Sequence, residues 1–162
     1  MIKLKDLLTE GKSPNIFVPR RMEDRVERMV ATYIRNGSKG YLNLRQMNLN
    51  KLPDILKNVN VGGSFNCSVN NLTSLENAPK SVDGDFYCSY NLLTSLEGAP
   101  ETVGGDFYCG YNKLTSLAGV PKYVGGIFVC NDNPGNFTEE QVRALCDVKG
   151  EVVALLDPKK FP

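Results

Sequence analysis

Five cysteines are the residues with the greatest potential for chemistry in this chain of 162 residues. Cys67, Cys88, Cys109 and Cys130 are spaced at intervals of 21 residues, whereas Cys146 lies off that period. Thiolates act as nucleophiles and as zinc ligands, and paired thiols form disulfides. No Cys-x-x-Cys pair typical of a zinc site occurs. The regular spacing favours small, buried apolar side chains stacked in one column, with a metal or disulfide ladder as the alternative.

The chain contains no histidine, which excludes the commonest general base, the commonest metal ligand and every imidazole-dependent triad. Glu139 and Glu140 begin a predicted helix, where acidic residues are favoured for structural reasons. We therefore predict a protein that is not an enzyme and that needs no cofactor or metal. The alternative is an enzyme with Cys88 or Cys109 as nucleophile, which requires an exposed thiol of low pKa.

The periodic cysteines belong to a longer repeat, written "GSFNCSVNNLTSL" at 63–75, "GDFYCSYNLLTSL" at 84–96 and "GDFYCGYNKLTSL" at 105–117. A fixed period near twenty predicts a solenoid whose units bury their apolar faces against one another. Phenylalanine and cysteine, two residues apart, lie on one side of a short strand. The asparagine that follows can satisfy backbone groups where the chain bends. The repeated phenylalanines and asparagines are Phe65, Phe86, Phe107, Phe128, Asn70, Asn91, Asn112 and Asn133.

The pattern Phe-x-Cys-x-x-Asn-x-Leu-x-x-Leu resembles the core of short leucine-rich repeats of the bacterial and phage type. The resemblance covers residues 41–137, including a divergent first copy with Leu42 and Leu44 in the strand and Met47 in place of asparagine. It implies an α/β repeat solenoid with period 21, short parallel β-strands and an extended convex side. The predicted organisation is a leader at 1–10, a connector and N-terminal cap helix at 11–40, the solenoid at 41–137 and a C-terminal cap at 138–162.

Helical caps are predicted at both ends, because a solenoid exposes its core there. Residues 20–35 carry apolar side chains at helical spacing, including Val26 and Val30, and Asn36-Gly37 ends the pattern. Thr138 and Gln141 have the spacing of a capping box before a second helix. The segment 151–162 is compatible with either a strand or a short helix.

A candidate binding surface follows from the strand positions that alternate with the buried ones. In the fold of the resemblance, these positions line the concave surface. Tyrosine is enriched in binding hot spots because it combines apolar area with a polar tip. The alternative explanation is that tyrosine suits strands and that neighbouring copies are recent duplicates. We predict a partner-binding patch for a protein, formed by Tyr87, Tyr90, Tyr108, Tyr111, Asp85 and Asp106.

Charge and hydropathy narrow the classes of partner. The 19 basic and 18 acidic residues nearly cancel, so we predict no nucleic-acid partner. No apolar run reaches the length of a membrane span, so we predict no membrane partner. The first residues do not form a secretory signal, because Lys3, Lys5 and Asp6 interrupt the apolar stretch.

The N-terminal segment "MIKLKDLLTE" is short and amphipathic, and it precedes Gly11. It resembles the capsid-targeting peptide of internal head proteins of T-even-type phages, in which a prohead protease cuts after Leu/Ile-x-Glu. The matching residues are Leu8, Glu10 and Gly11. The resemblance implies a protein packaged inside the virion and injected into the host cytoplasm, where it binds a host defence protein. The alternatives are a capsid-bound decoration protein whose leader docks as a helix, and a cytoplasmic binding module.

Overall fold

The computed structural model describes residues 22–154, which form a parallel β-solenoid. Each turn of the solenoid, here called a coil, contributes one two-residue strand to each of two parallel sheets. The first sheet contains β1 (Leu42–Asn43), β3 (Phe65–Asn66), β5 (Phe86–Tyr87), β7 (Phe107–Tyr108), β9 (Phe128–Val129) and β11 (Val152–Val153). The second contains β2 (Asn60–Val61), β4 (Ser81–Val82), β6 (Thr102–Val103), β8 (Tyr123–Val124) and β10 (Asp147–Val148).

Equivalent residues of successive coils pair in register, so the 21-residue period of the sequence is the period of the structure. Phe65 pairs with Phe86, which pairs with Phe107, which pairs with Phe128. Their rings stack inside the solenoid with centroids 5.5, 5.4 and 5.1 Å apart. Each phenylalanine is fully buried, which stabilises the fold by roughly 2 kcal/mol per side chain.

The five cysteines are all buried and free, as the interpretation of a column of small apolar side chains predicts. Four of them directly follow strands of the first sheet, one per coil, and are buried. The two leucines of each copy and the valine of each strand in the second sheet complete the core. The predicted extended far side is thus a second parallel sheet, in which the valines Val61, Val82, Val103, Val124 and Val148 point inward.

The asparagines form the predicted ladder. Asn112 is representative: its Nδ2 donates to the carbonyl oxygens of Cys88 and Cys109, each at 3.1 Å, and its Oδ1 accepts from the backbone N–H of Leu93 at 3.1 Å. Each such asparagine therefore joins two coils at the point where the chain leaves the first sheet. This bonding explains why a polar residue recurs in an otherwise apolar interior.

Helices lie near the beginning and end of the described residues. In α1 (Met22–Arg35), Val26 and Val30 are buried in the core, on the face that the sequence predicts. In α2 (Glu139–Arg143), Thr138 and Gln141 form the predicted capping box. A 3-10 turn spans Asp54–Leu56. Between residues 42 and 137 the repeats consist of strands, turns and this 3-10 turn, so α-helix is limited to α1 and α2 among the described residues.

The ladder of strands continues past residue 137, where the sequence predicts that the repeats end. β10 and β11 extend both sheets, so α2 lies within the last coil. This coil is longer than the others and places Val152 and Ala154 where earlier coils have phenylalanine and cysteine. Val152–Val153 settles the open choice between strand and helix in favour of a strand for that part of 151–162.

Several predictions concern residues outside the described part of the chain. These are the leader at 1–10 with Leu8, Glu10 and Gly11, the connector up to residue 21, and the tail 155–162. Within residues 22–154, no helix combines the length and the apolar character needed to cross a bilayer.

Candidate functional site

The four predicted tyrosines form two stacked pairs on adjacent coils, one pair in the first sheet and the other just beyond its strands. The rings of Tyr87 and Tyr108 have centroids 4.9 Å apart and an interplanar angle of 8°. The rings of Tyr90 and Tyr111 are 4.4 Å apart at 5°. We call this surface the tyrosine face, defined by Asp85, Tyr87, Tyr90, Asp106, Tyr108 and Tyr111.

The two aspartates of the tyrosine face also hold the coils together. The Oδ2 atoms of Asp85 and Asp106 accept hydrogen bonds from the hydroxyls of Tyr87 and Tyr108, at 2.8 and 3.0 Å. Their Oδ1 atoms accept from backbone N–H groups one coil further on, Asp106 at 2.9 Å and Ile127 at 2.7 Å. Each carboxylate therefore has a structural function, which the sequence prediction of a purely partner-binding role did not include.

These carboxylates explain the glycines that lie two residues before β7 and β9. A Cβ atom on Gly105 or Gly126 would overlap Oδ1 of the aspartate in the preceding coil. Gly125 has a separate constraint, because its Cβ would overlap the carbonyl oxygen of Gly104. The glycine doublets thus permit close approach between coils.

The hydroxyl groups of Tyr87 and Tyr108 are harder to deprotonate than that of an ordinary tyrosine. Burial raises the pKa of each, and the hydrogen bond to the neighbouring aspartate raises it further. The hydroxyls consequently stay protonated through the physiological range and donate to the carboxylates. Their oxygens keep lone pairs, so toward solvent they act as hydrogen-bond acceptors.

The outer pair of tyrosines is more exposed and has an unfavourable backbone conformation. Tyr90 and Tyr111 are 52% and 42% exposed, with φ of 57° and 55°. The left-handed region costs an ordinary L-residue about 1 kcal/mol relative to glycine or asparagine. Val69 and Asp132 occupy the same conformation in the adjacent coils, so the backbone of the repeat imposes it.

Two residues next to the tyrosine face were not among the predicted site residues. Tyr41, which is 54% exposed, accepts a hydrogen bond at its hydroxyl from Nδ2 of Asn66 at 2.9 Å. Asp132 raises the pKa of Tyr111, first by its charge and then by hydrogen bonding. Both have a sequence signal, since Asp132 is aligned with Tyr90 and Tyr111, and Tyr41 is aligned with Asp85.

The thiols are buried and have raised pKa values, whereas a cysteine nucleophile is exposed and has a low pKa. Cys88 and Cys109 are completely buried, and burial is the main cause that raises their pKa well above the ordinary value. Burial likewise raises the pKa of Cys130 to about 12 and that of Cys146 to about 11. These observations count against the alternative that Cys88 or Cys109 performs catalysis, because a thiol protonated at neutral pH is a poor nucleophile.

No protein-family model matches the chain, and no curated protein matches it. The geometry of the tyrosine face is therefore the basis on which a function can be proposed.

Proposed function

We propose that the chain is a non-enzymatic leucine-rich-repeat module that binds a protein partner through the tyrosine face. The leucine-rich-repeat assignment is supported by the buried leucine columns and by the asparagine ladder, which lie where the resemblance implies. Exposed aromatic residues held rigid by stacking provide contact area at low entropic cost, as binding surfaces require.

The observation that carries the proposal is the difference between two neighbouring copies within the chain. Residues 84–104 and 105–125 differ at six positions and are identical at all others. Most of the differing residues are exposed, on the turns and on the second sheet. No residue of the tyrosine face differs between the two copies. The differing pairs are Ser89/Gly110, Leu92/Lys113, Glu97/Ala118, Ala99/Val120, Glu101/Lys122 and Thr102/Tyr123.

Some of the other exposed positions that agree between the copies have structural functions. The hydroxyl of Ser116 accepts a hydrogen bond from the backbone N–H of Ala118. Gly98 and Gly119 have positive φ, which glycine tolerates best. Tyr90 and Tyr111 are different, because tyrosine is disfavoured in their conformation and is nevertheless present in both copies. An exposed residue that keeps an unfavourable backbone conformation in both copies supports a function at that position.

Partner capture with the full chain tests this proposal. The change Tyr87→Ala with Tyr108→Ala should abolish capture and leave the fold intact, since neither side chain belongs to the core. Partners retained from infected cells would be identified by mass spectrometry for the wild type and for the variant. The same partner retained equally by both proteins would contradict the proposal.

We further propose that the protein is an internal head protein of a bacteriophage, packaged in the prohead, cleaved after Glu10 and delivered to the host to bind a defence protein. The support is the sequence resemblance of Leu8, Glu10 and Gly11 to the prohead-protease site. Mass spectrometry of the protein from its native particle tests this directly. A chain that begins at Gly11 supports packaging, and one that begins at Met1 or Ile2 contradicts it.

A capsid-bound decoration protein remains the alternative, and copy number separates the two. A decoration protein would be present at a fixed, symmetric number per particle. A packaged internal protein would vary in number and would leave the particle with the DNA.

A further inference from the structure

The hydrogen-bond groups of the tyrosine face are predominantly acceptors. The hydroxyl protons of Tyr87 and Tyr108 are donated to Asp85 and Asp106, so the two phenolic oxygens offer only lone pairs to a ligand. Both carboxylates add acceptor oxygens. A ligand that makes hydrogen bonds here must therefore supply the donors.

The charge of the same surface is negative. Asp85 and Asp106 are half-buried beside the tyrosines, and Asp132 lies exposed in the next coil beside Tyr111. None of the described strand residues of the first sheet is basic. Arg45 follows β1 in the first coil, away from the tyrosine pairs. Lys113 lies beyond the asparagine ladder, outside these strand positions. A surface of acceptors with a local excess of carboxylates favours a cationic donor.

The shape of the surface distinguishes between the two cationic side chains. Within each pair the two rings are nearly parallel, at 8° and 5°, and stack on each other, so each pair keeps an outer ring face on either side. Guanidinium is planar, carries five donors in fixed directions and stacks on aromatic rings, whereas ammonium is a strongly hydrated point charge. Two acceptor oxygens on neighbouring coils match a group that donates in two directions at once.

We infer that the tyrosine face recognises arginine side chains of its protein partner, with guanidinium N–H groups donating to the oxygens of Tyr87 and Tyr108 and the charge balanced by the neighbouring aspartates. This inference rests on the proposed function of the face as a protein-binding surface. It adds the chemistry of the segment that binds.

The test uses the full chain and the peptide acetyl-Gly-Arg-Gly-Arg-Gly-amide, with binding followed by amide chemical shifts. The citrulline counterpart is the matched control ligand, because its urea group keeps the shape and lacks the charge. We expect saturable shifts confined to the tyrosine face, and affinity lower for the citrulline peptide by on the order of tenfold or more. A lysine peptide should bind more weakly than the arginine peptide.

Three protein variants localise the interaction. Tyr87→Phe with Tyr108→Phe keeps the rings and removes the phenolic oxygens, so affinity should fall by about tenfold. Asp132→Asn suits the left-handed backbone and should weaken binding by about two- to threefold through lost charge. Tyr123→Phe removes a hydroxyl on the second sheet and should leave affinity unchanged. Thermal unfolding of each variant verifies that the fold is retained.

Four results would overturn the inference. The first is equal binding of the arginine and citrulline peptides, and the second is binding that the phenylalanine variant does not weaken. The third is an absence of peptide binding at millimolar concentration, and the fourth is a response to a neutral oligosaccharide in place of the arginine peptide. If the peptide fails while Tyr87→Ala with Tyr108→Ala still abolishes capture of a partner, the arginine inference is wrong and the proposed function stands. If capture is also unchanged, both are wrong.

Discussion

The outer faces of the two sheets differ although the same coils build both. The first sheet carries paired tyrosines and aspartates that repeat in two adjacent coils. The second carries a different residue in each coil, namely Asn60, Ser81, Thr102, Tyr123 and Asp147. Both faces have the same period and parallel pairing, so the strands alone do not require tyrosine. The repeat fixes the interior and leaves the exterior free to vary, which makes the agreement of two adjacent coils on one exterior face informative.

The largest loss of stability should come from a substitution in the core, which both sheets share. Phe107→Ala removes a fully buried ring from the middle of the phenylalanine stack and should lower the free energy of unfolding by about 3–5 kcal/mol. Urea denaturation followed by circular dichroism measures this loss. Tyr108→Ala is the matched control, since it removes a neighbouring half-exposed ring of the same strand and should cost much less. Equal losses would mean that the tyrosine pairs are part of the core.

Removal of one asparagine of the ladder should destabilise the fold somewhat less than removal of a core phenylalanine. Asn112→Ala leaves the backbone N–H of Leu93 and the carbonyl oxygens of Cys88 and Cys109 without this partner in a buried region, which should cost about 2–3 kcal/mol. The control is Asn71→Ala, because Asn71 is exposed and bonds to Asn48 on the surface. Denaturation midpoints that shift equally for the two variants would contradict the account of the ladder.

High pH should destabilise the folded protein through deprotonation of Tyr87 and Tyr108 in the first sheet. The pKa values of Tyr87 and Tyr108 are raised in the folded protein relative to 10.0 for an unperturbed tyrosine. A raised pKa means that the stabilisation is complete below the ordinary tyrosine pKa and is lost as pH rises through the higher folded value. Ultraviolet absorbance of the phenolate should show part of the tyrosine titration delayed relative to the unfolded chain.

The variant Tyr87→Phe with Tyr108→Phe provides the control for this titration. It should reduce the delayed fraction without abolishing it, because the pKa values of Tyr33 and Tyr111 are also raised. A delayed fraction of the same size in the variant would show that other tyrosines cause it.

The sequence predicts the interior well because the interior is what repeats. Phe107, Cys109, Asn112 and Leu114 each satisfy a requirement of every coil, either apolar burial or hydrogen bonding of the turn. The second sheet was not predicted as a sheet, because strands as short as Ser81–Val82 contain one buried residue and show no alternation.

The parts that were not predicted depend on contacts between distant residues or on a change of length. The structural function of Asp85 involves the N–H of Asp106, which is 21 residues away and carries no side-chain signal. The last coil was not recognised as part of the solenoid because α2 lengthens it and valine replaces phenylalanine in β11. The pairing of Tyr87 with Tyr108 and of Tyr90 with Tyr111, by contrast, follows directly from the 21-residue period.

The smallest effect on stability should accompany a large effect on binding, at Tyr90 and Tyr111. Tyr90→Asn with Tyr111→Asn replaces two exposed rings by a residue that tolerates positive φ, so the free energy of unfolding should change by no more than about 1 kcal/mol. Tyr123→Asn on the second sheet is the control, because Tyr123 is an exposed tyrosine outside the tyrosine face.

The most direct test of the central claim is the affinity of the captured partner for these two variants and for the wild type, measured by calorimetry. The account predicts that Tyr90→Asn with Tyr111→Asn weakens binding by at least about a hundredfold, as expected when hot-spot aromatics are removed. Tyr123→Asn should bind like the wild type. Undiminished affinity of the double variant, or an equal loss with Tyr123→Asn, would contradict the assignment of the tyrosine face as the binding surface.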